Sequence, residues 1–167
     1  PQIIQYFWTP DSQRVLLLVD PGGKGQVALK ACSLDDHYLH DYTKDFPEVN
    51  TKLFALSETE NKAVIGLNHR RVDRHDLYEL NLSTGDLELI YQNEDYANFM
   101  VSKDLKIILK TQILEDGSWK VFTDEDQLYL TLSSEDAFVT DFLEYNPELE
   151  VVYFLDNRHT RMNQLVA

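Results

Sequence analysis

Cysteine is almost missing from this 167-residue sequence: Cys32 stands alone. No internal disulfide can form, so a packed core has to hold the fold without covalent staples. Cys32 itself is expected to be a buried structural thiol. Cations are scarce as well, with 15 Lys and Arg against 29 Asp and Glu and a formal charge of −14. A surface built to sit on phosphates or anionic lipid needs local cations, so nucleic-acid and membrane-surface partners are not expected. No apolar run approaches the ~18 residues of a spanning helix. The six glycines are Gly22, Gly23, Gly25, Gly66, Gly85 and Gly117, and no pair of them brackets a serine as Gly-x-Ser-x-Gly. The nucleophile elbow of an α/β-hydrolase is therefore not written in this chain, and no catalytic residue is assigned.

Aromatic residues, in contrast, are plentiful: nine Tyr and eight Phe suit strands better than a helical bundle. Four places show one pattern, a polar turn followed at once by a β-rich apolar run. They are Pro10 to Arg14 before Val15 to Val19, Glu60 to Lys62 before Ala63 to Leu67, Ser102 to Asp104 before Leu105 to Leu109, and Asn146 to Glu148 before Leu149 to Leu155. Val15, Ala63, Ile107 and Val151 are equivalent positions in a repeat of about 44 residues. An aromatic or apolar stretch precedes each turn: Tyr6-Phe7-Trp8, Phe54-Ala55-Leu56, Phe99-Met100-Val101 and Phe142-Leu143. Each unit thus opens with a hairpin. In the second unit Tyr78, Leu80 and Leu82 alternate with Glu79 and Asn81, the two-residue period of a half-buried strand, and a further strand follows Ser83-Thr84-Gly85-Asp86. Four strands per repeat predict an all-β chain: a β-propeller segment of about four antiparallel blades, covering 1–50, 51–96, 97–138 and 139–167. Asp35 to Glu48 is the least strand-like stretch and is expected to be an inter-blade connection with a short helical turn.

Trp8-Thr9-Pro10-Asp11-Ser12 is similar to the aromatic-Ser-Pro-Asp-Gly turn of TolB-like and peptidase propellers. Gly66-Leu67-Asn68-His69-Arg70, then His75 to Gly85, then Leu89-Ile90-Tyr91, resembles a blade from the N-terminal propeller of prolyl oligopeptidase family (S9) serine hydrolases, the group that includes acylaminoacyl peptidases. Phe154-Leu155-Asp156-Asn157-Arg158 matches in the same manner. The resemblance implies a propeller that caps an α/β-hydrolase domain and limits entry to small peptides, with the catalytic triad in that other domain. A TolB-like or WD40-like propeller scaffolding protein partners is the alternative. Where the family often has Gly after the turn Asp, this chain has Ser12, Lys62 or Leu149.

Several clusters invite a functional reading. Asn68 to Asp76 is the strongly cationic spot of an anionic chain; there Arg70, Arg71, Arg74 and His75 are candidates for binding a substrate carboxylate or a partner domain through bidentate bonds. A smaller cluster holds Arg158 and Arg161. Gly23-Lys24-Gly25-Gln26-Val27-Ala28 formally fits a dinucleotide loop, but the βαβ context is missing and Asp20 to Gly23 reads as a turn. Lys24 is followed by Gly25, which excludes a P-loop. His37 and His40, with Asp35, Asp36 and Asp41, read as a solvated acidic loop, so no metal and no cofactor is expected. Asn81-Leu82-Ser83 is an acceptor sequon with meaning only in a secretory context.

The chain opens on Pro1 without an initiator methionine or a basic-to-apolar leader, and both ends fall inside the repeat phase. The expectation is a cytoplasmic segment of a longer polypeptide, with the periplasm as the other compartment. Its expected partner is the α/β-hydrolase domain of the parent chain or another protein. The open blade edges, with Ile3, Ile4, Tyr6 and Trp8 at one and Val151, Val152, Phe154 and Leu155 at the other, are expected either to close through Ile3 and Ile4 or to self-associate with a second copy.

Overall fold

The computed structural model describes residues 1–35, 38–156, 158 and 164–167. Fifteen strands and one short helix make up the described residues. They fall into two compact units, Pro1–Glu94 with Lys103–Leu105, and Asp95–Ser102 with Lys106–Ala167.

The first unit holds two sheets. One runs in order through β1 (Gln2–Trp8), β2 (Arg14–Asp20), β3 (Ala28–Ser33) and β4 (Leu39–Asp41). The other runs through β5 (Thr51–Leu56), β6 (Lys62–Arg71), β7 (Arg74–Asn81) and β8 (Leu87–Tyr91). Every neighbouring pair is antiparallel, so each sheet is a meander of consecutive hairpins. The alternation read from the sequence supplies the core: Leu16, Leu18, Leu29 and Ala31 of the first sheet join Ala63, Ile65, Leu67 and Leu80 of the second in one buried cluster. Burying each such Leu or Ile stabilises by roughly 1.5–3 kcal/mol relative to exposure.

The second unit repeats the scheme with β9 (Asn98–Val101), β10 (Ile107–Ile113), β11 (Trp119–Thr123) and β12 (Leu128–Leu132) in one sheet, and β13 (Asp141–Asn146), β14 (Val151–Asp156) and β15 (Gln164–Val166) in a three-stranded sheet. Leu109, Val121 and Val152 form its buried cluster, with Met100, Ile108, Leu130, Phe142 and Tyr145 packed against them.

The helical expectation for Asp35 to Glu48 is corrected. Its described residues are β4 and turns, and the helix is α1 (Ser134–Val139) instead. The side chain of Ser133 caps it by accepting from the Asp136 amide at 3.2 Å, while its hydroxyl donates to the Asp136 carboxylate at 2.7 Å. The hydroxyl thus satisfies one of the amides left open at the helix start and is itself held by the Asp136 carboxylate. Leu105 and Leu149 also precede their strands rather than opening them. Cys32 is half-buried in β3, not buried, with its thiol 3.7 Å from the Ser33 carbonyl.

A β-bulge recurs on the first strand of three sheets. Ile4, Phe54 and Leu143 are the unpaired extra residues between Ile3 and Gln5, Leu53 and Ala55, and Phe142 and Glu144. The bulge redirects one side chain. At Phe54 the ring crosses the face of Gly66, where an added Cβ would lie 2.5 Å from a ring carbon and 3.0 Å from the His75 Cβ. The glycine is required by this close approach, not by its backbone conformation. Of the three residues standing where the family often has Gly, Ser12 occupies the left-handed region (φ 56°) and Lys62 and Leu149 do not; in the turns before β10 and β14 that conformation falls on Leu105 (φ 64°) and Glu150 (φ 54°).

Two variants check these constraints by denaturant unfolding. Gly66→Ala is expected to lose about 1–3 kcal/mol by overpacking. Ser12→Gly, at an exposed site whose φ favours glycine, is expected to gain about 0.5–1 kcal/mol. A gain for the first or a loss for the second contradicts the geometry described.

Candidate functional site

The hairpin of β6 and β7 outreaches its neighbours and turns through Val72 and Asp73, with Arg71 opposite Arg74. It carries Arg70, Arg71, Arg74 and His75 together, as the sequence suggested. Their guanidinium groups engage the chain's own acids. Arg70 forms a bidentate pair with Asp76, both contacts at 2.9 Å, and reaches the Asn93 carbonyl at 2.7 Å and Glu94 at 2.9 Å. Asp76 is 3% exposed and also accepts from the Asn93 amide at 2.8 Å. The Asn93 side chain closes the circuit by donating to the His75 carbonyl at 3.1 Å. Burial alone would raise the Asp76 carboxyl, but the hydrogen bonds and charge of Arg70, with the Asn93 amide, hold it below the usual carboxylate range. Arg71 binds Asp73 and Glu94, both at 3.3 Å. Arg74 binds Asp73, at 3.2 Å to the carboxylate and 2.9 Å to the carbonyl.

His75 differs from the arginines. Its Nε2 is buried without a hydrogen-bond partner, and burial first, then the charge of Lys52, pushes its pKa down to about 4. Arg158 is held by Asp156, two residues before it, at 2.8 to 3.0 Å. Arg161 lies outside the described residues, as do Asp36 and His37. Of the other acids in that stretch, Asp41 is bound to Lys30 at 2.6 Å and to the Thr43 amide at 3.0 Å.

The glycine loop after β2 is also internally occupied. Asp20 accepts from the amides of Gly22, Gly23, Lys24 and Gly25 at 2.7 to 3.2 Å. The N–H groups that a pyrophosphate would need are turned onto the chain's own carboxylate. The sequon Asn81 acts in the same way, accepting from the Ser83 and Thr84 amides at 2.9 and 3.1 Å.

What sequence reasoning missed is a cavity of about 190 Å³ in the first unit, lined by Arg14, Ser33, Tyr38, His40, Tyr42 and Ser83 among others. Strand alternation places Tyr38, His40 and Tyr42 along one side of β4 and its flanks. The rings of His40 and Tyr42 meet edge-on at 4.6 Å between centroids. The Tyr42 hydroxyl donates to the Leu82 carbonyl at 2.7 Å, and an Arg14 guanidinium N–H donates to the same oxygen. The Tyr-x-His-x-Tyr spacing was legible; Arg14 joins it through strand pairing within one sheet, where Arg14 stands opposite Ser33 and Ala31 opposite His40, while Leu82 and Ser83 are brought in by the second sheet.

Recurring four-stranded antiparallel meanders define an all-β protein of the β-propeller class, here a segment of four blades. The solved structure of TolB from Acinetobacter baumannii shares this fold, with a TM-score of 0.56 and 15% identity over 99% of this chain and 43% of that one. In sequence, the chain is similar to dipeptidyl aminopeptidase BIII of Pseudoxanthomonas mexicana (24% identical) and to dipeptidyl peptidase family member 6 of Caenorhabditis elegans (21% identical), over 99% of its length in both cases. It spans about a quarter of the length of these curated relatives. No protein-family model matches it. These similarities support the resemblance to S9 propellers read from the blade sequences.

His75 makes a pH prediction. Its folded pKa lies below the ordinary value of about 6.5, so its contribution to stability is present above that value and is lost as pH falls toward about 4. Thermal melts are expected to drop across this window in the native sequence and to drop less in His75→Gln. Equal slopes in the two proteins would show that His75 is not the group that titrates.

Proposed function

We infer that this chain is a non-catalytic propeller segment of a prolyl oligopeptidase-like serine peptidase, and that it gates or selects peptide substrates for an α/β-hydrolase domain. One observation carries the reading: the likeness to two dipeptidyl peptidases runs along 99% of this chain yet covers 25% of each of them. A repetitive all-β chain that matches only a quarter of a peptidase points to a role in access rather than in bond cleavage. The chemistry of such a role is exclusion and positioning. Blades present a fixed passage, and their loops decide which peptides pass.

Two structural features support it. The arginines of the β6–β7 hairpin pair with acids of the same hairpin, which suits a rigid frame. The apolar, uncharged strand β1 presents Ile3, Ile4, Tyr6 and Trp8 at 48 to 69% exposure, a surface suited to packing against further protein. Of the residues expected to form a second open edge, Val152 and Phe154 are instead buried within their own unit. The partner is therefore the hydrolase domain or another protein covering β1, with a second copy of this chain as the remaining occupant.

The gene is the first test. A Gly-x-Ser-x-Gly motif in the same reading frame is expected; a frame holding only further blades overturns the peptidase reading in favour of a TolB-like or WD40-like scaffold. The second test is enzymatic. The purified chain is expected to release no product from dipeptidyl chromogenic substrates or simple esters. Turnover that survives purification and disappears in Cys32→Ala would make the chain an enzyme in its own right.

A further inference from the structure

The cavity around Arg14 is built in a way that the propeller frame does not require. In a chain with 29 acidic residues, Arg14 makes no ion pair among the described residues. The other arginines of this unit, Arg70, Arg71 and Arg74, each bind a carboxylate within 3.3 Å. Asp11, the acid whose ionisation Arg14 favours, directs its own oxygens elsewhere: to the Thr9 hydroxyl at 2.6 Å, the Gln13 amide at 3.0 Å and the Asn61 side chain. Neutral groups hold Arg14: one guanidinium N–H donates to the Leu82 carbonyl and the guanidinium also hydrogen-bonds the Tyr42 hydroxyl, leaving the rest of a five-donor fork for other acceptors. Tyr42 holds the same carbonyl from its own side, so the cation is positioned before any ligand arrives.

The walls complete a recognisable chemistry. Tyr38, His40 and Tyr42 line one side, and the hydroxyl-bearing Ser33 and Ser83 line the cavity with them. Gly85 closes behind His40: a Cβ there would stand 3.2 Å from the imidazole Nε2, and its φ of +84° favours glycine. The volume, about 190 Å³, is below the roughly 300–1,000 Å³ of pockets for drug-sized ligands. An anion of amino-acid size fits this combination. A planar carboxylate matches the guanidinium fork, and a short amide or apolar tail matches the aromatic walls.

We propose that Arg14, with Tyr38, His40 and Tyr42, forms a binding site for a small carboxylate of acylated amino-acid size on the first unit. This site does not depend on the peptidase reading, since its residues and its cavity stand whether or not a hydrolase domain is attached.

The test is an NMR titration of the uniformly ¹⁵N-labelled chain with N-acetyl-L-alanine, and in parallel with N-acetyl-L-alaninamide, which is of similar size and lacks the charge. Saturable shifts at His40, Ser83 and Gly85 are expected with the acid, and binding of the amide is expected to be about tenfold weaker or more. Arg14→Gln is expected to lose about tenfold or more in affinity for the acid while retaining the native dispersion of the spectrum. Should that variant fail to fold, Tyr38→Ala serves instead, because Tyr38 is 64% exposed; a weakening of several-fold is expected there. Equal binding of acid and amide, unchanged affinity in a folded Arg14→Gln, or the absence of saturable shifts at these residues overturns the proposal.

Discussion

A sheet of three or four short strands cannot hide its apolar face by itself, and a chain with one cysteine has no covalent substitute for a covered face. Every other feature of this protein follows from the need to lay one such sheet against the next. In the first unit the requirement is met by a single buried cluster drawn from β2, β3, β6 and β7, extended by Tyr42, Val49 and Leu82 from the connecting segments. In the second unit Leu109, Val121 and Val152 do the same for two further sheets. The short period of the repeat is a consequence: each meander is as long as one covered face allows.

Once the faces are covered, the turns have to be closed in an acidic chain without cations to spare, and the carboxylates themselves do this. Asp20 gathers four backbone amides, Asp76 gathers Arg70 and the Asn93 amide, and Asp156 holds Arg158. Asp20, Asn68 and Asp156 stand at related places near the end of the second strand of their sheets. Asn68 accepts from the Asn50 amide at 2.7 Å and donates to the Val72 carbonyl at 3.0 Å. A short acidic or amide side chain at that place satisfies donors that would otherwise lack partners as the strand ends. The negative charge of these three side chains is thus structural. The second unit uses a cation for a comparable purpose, where the buried Lys110 ammonium donates to the Asp124 carbonyl at 2.8 Å and to Asp126, which also accepts from Tyr96 at 2.6 Å.

This internal use of charge divides the arginines of the first unit by what holds them. A guanidinium paired to a buried carboxylate is costly to redirect toward a ligand, because the acid left behind would be an unpaired charge. Arg70 is fixed in that sense, whereas Arg14 is held by neutral groups, the Leu82 carbonyl and the Tyr42 hydroxyl. The sequence marks the first as part of a cationic cluster and gives no prominence to the second. Local density of charge is also what lets these side chains neutralise one another across the hairpin.

The residues alone determined the strand-rich class, the repeat, the opening hairpins and the S9-like blade pattern, because each depends on periods of two and of about 44 that survive in a linear reading. The start of α1 was legible too, since Ser133 and Asp136 have the Ser-x-x-acid spacing of a helix N-terminus. Three things were decided by tertiary structure. Bulges at Ile4, Phe54 and Leu143 depend on pairing across strands, and so does the crowding that demands glycine at position 66. The partners of Arg70 at Asn93 and Glu94 lie far along the chain and meet it only when β6, β7 and the segment after β8 come together. The cavity of Arg14 and Tyr42 on Leu82 spans some 68 residues of sequence between its two sides. No local pattern encodes such a meeting, because it is set by how one sheet packs on the next and not by the order of residues within either.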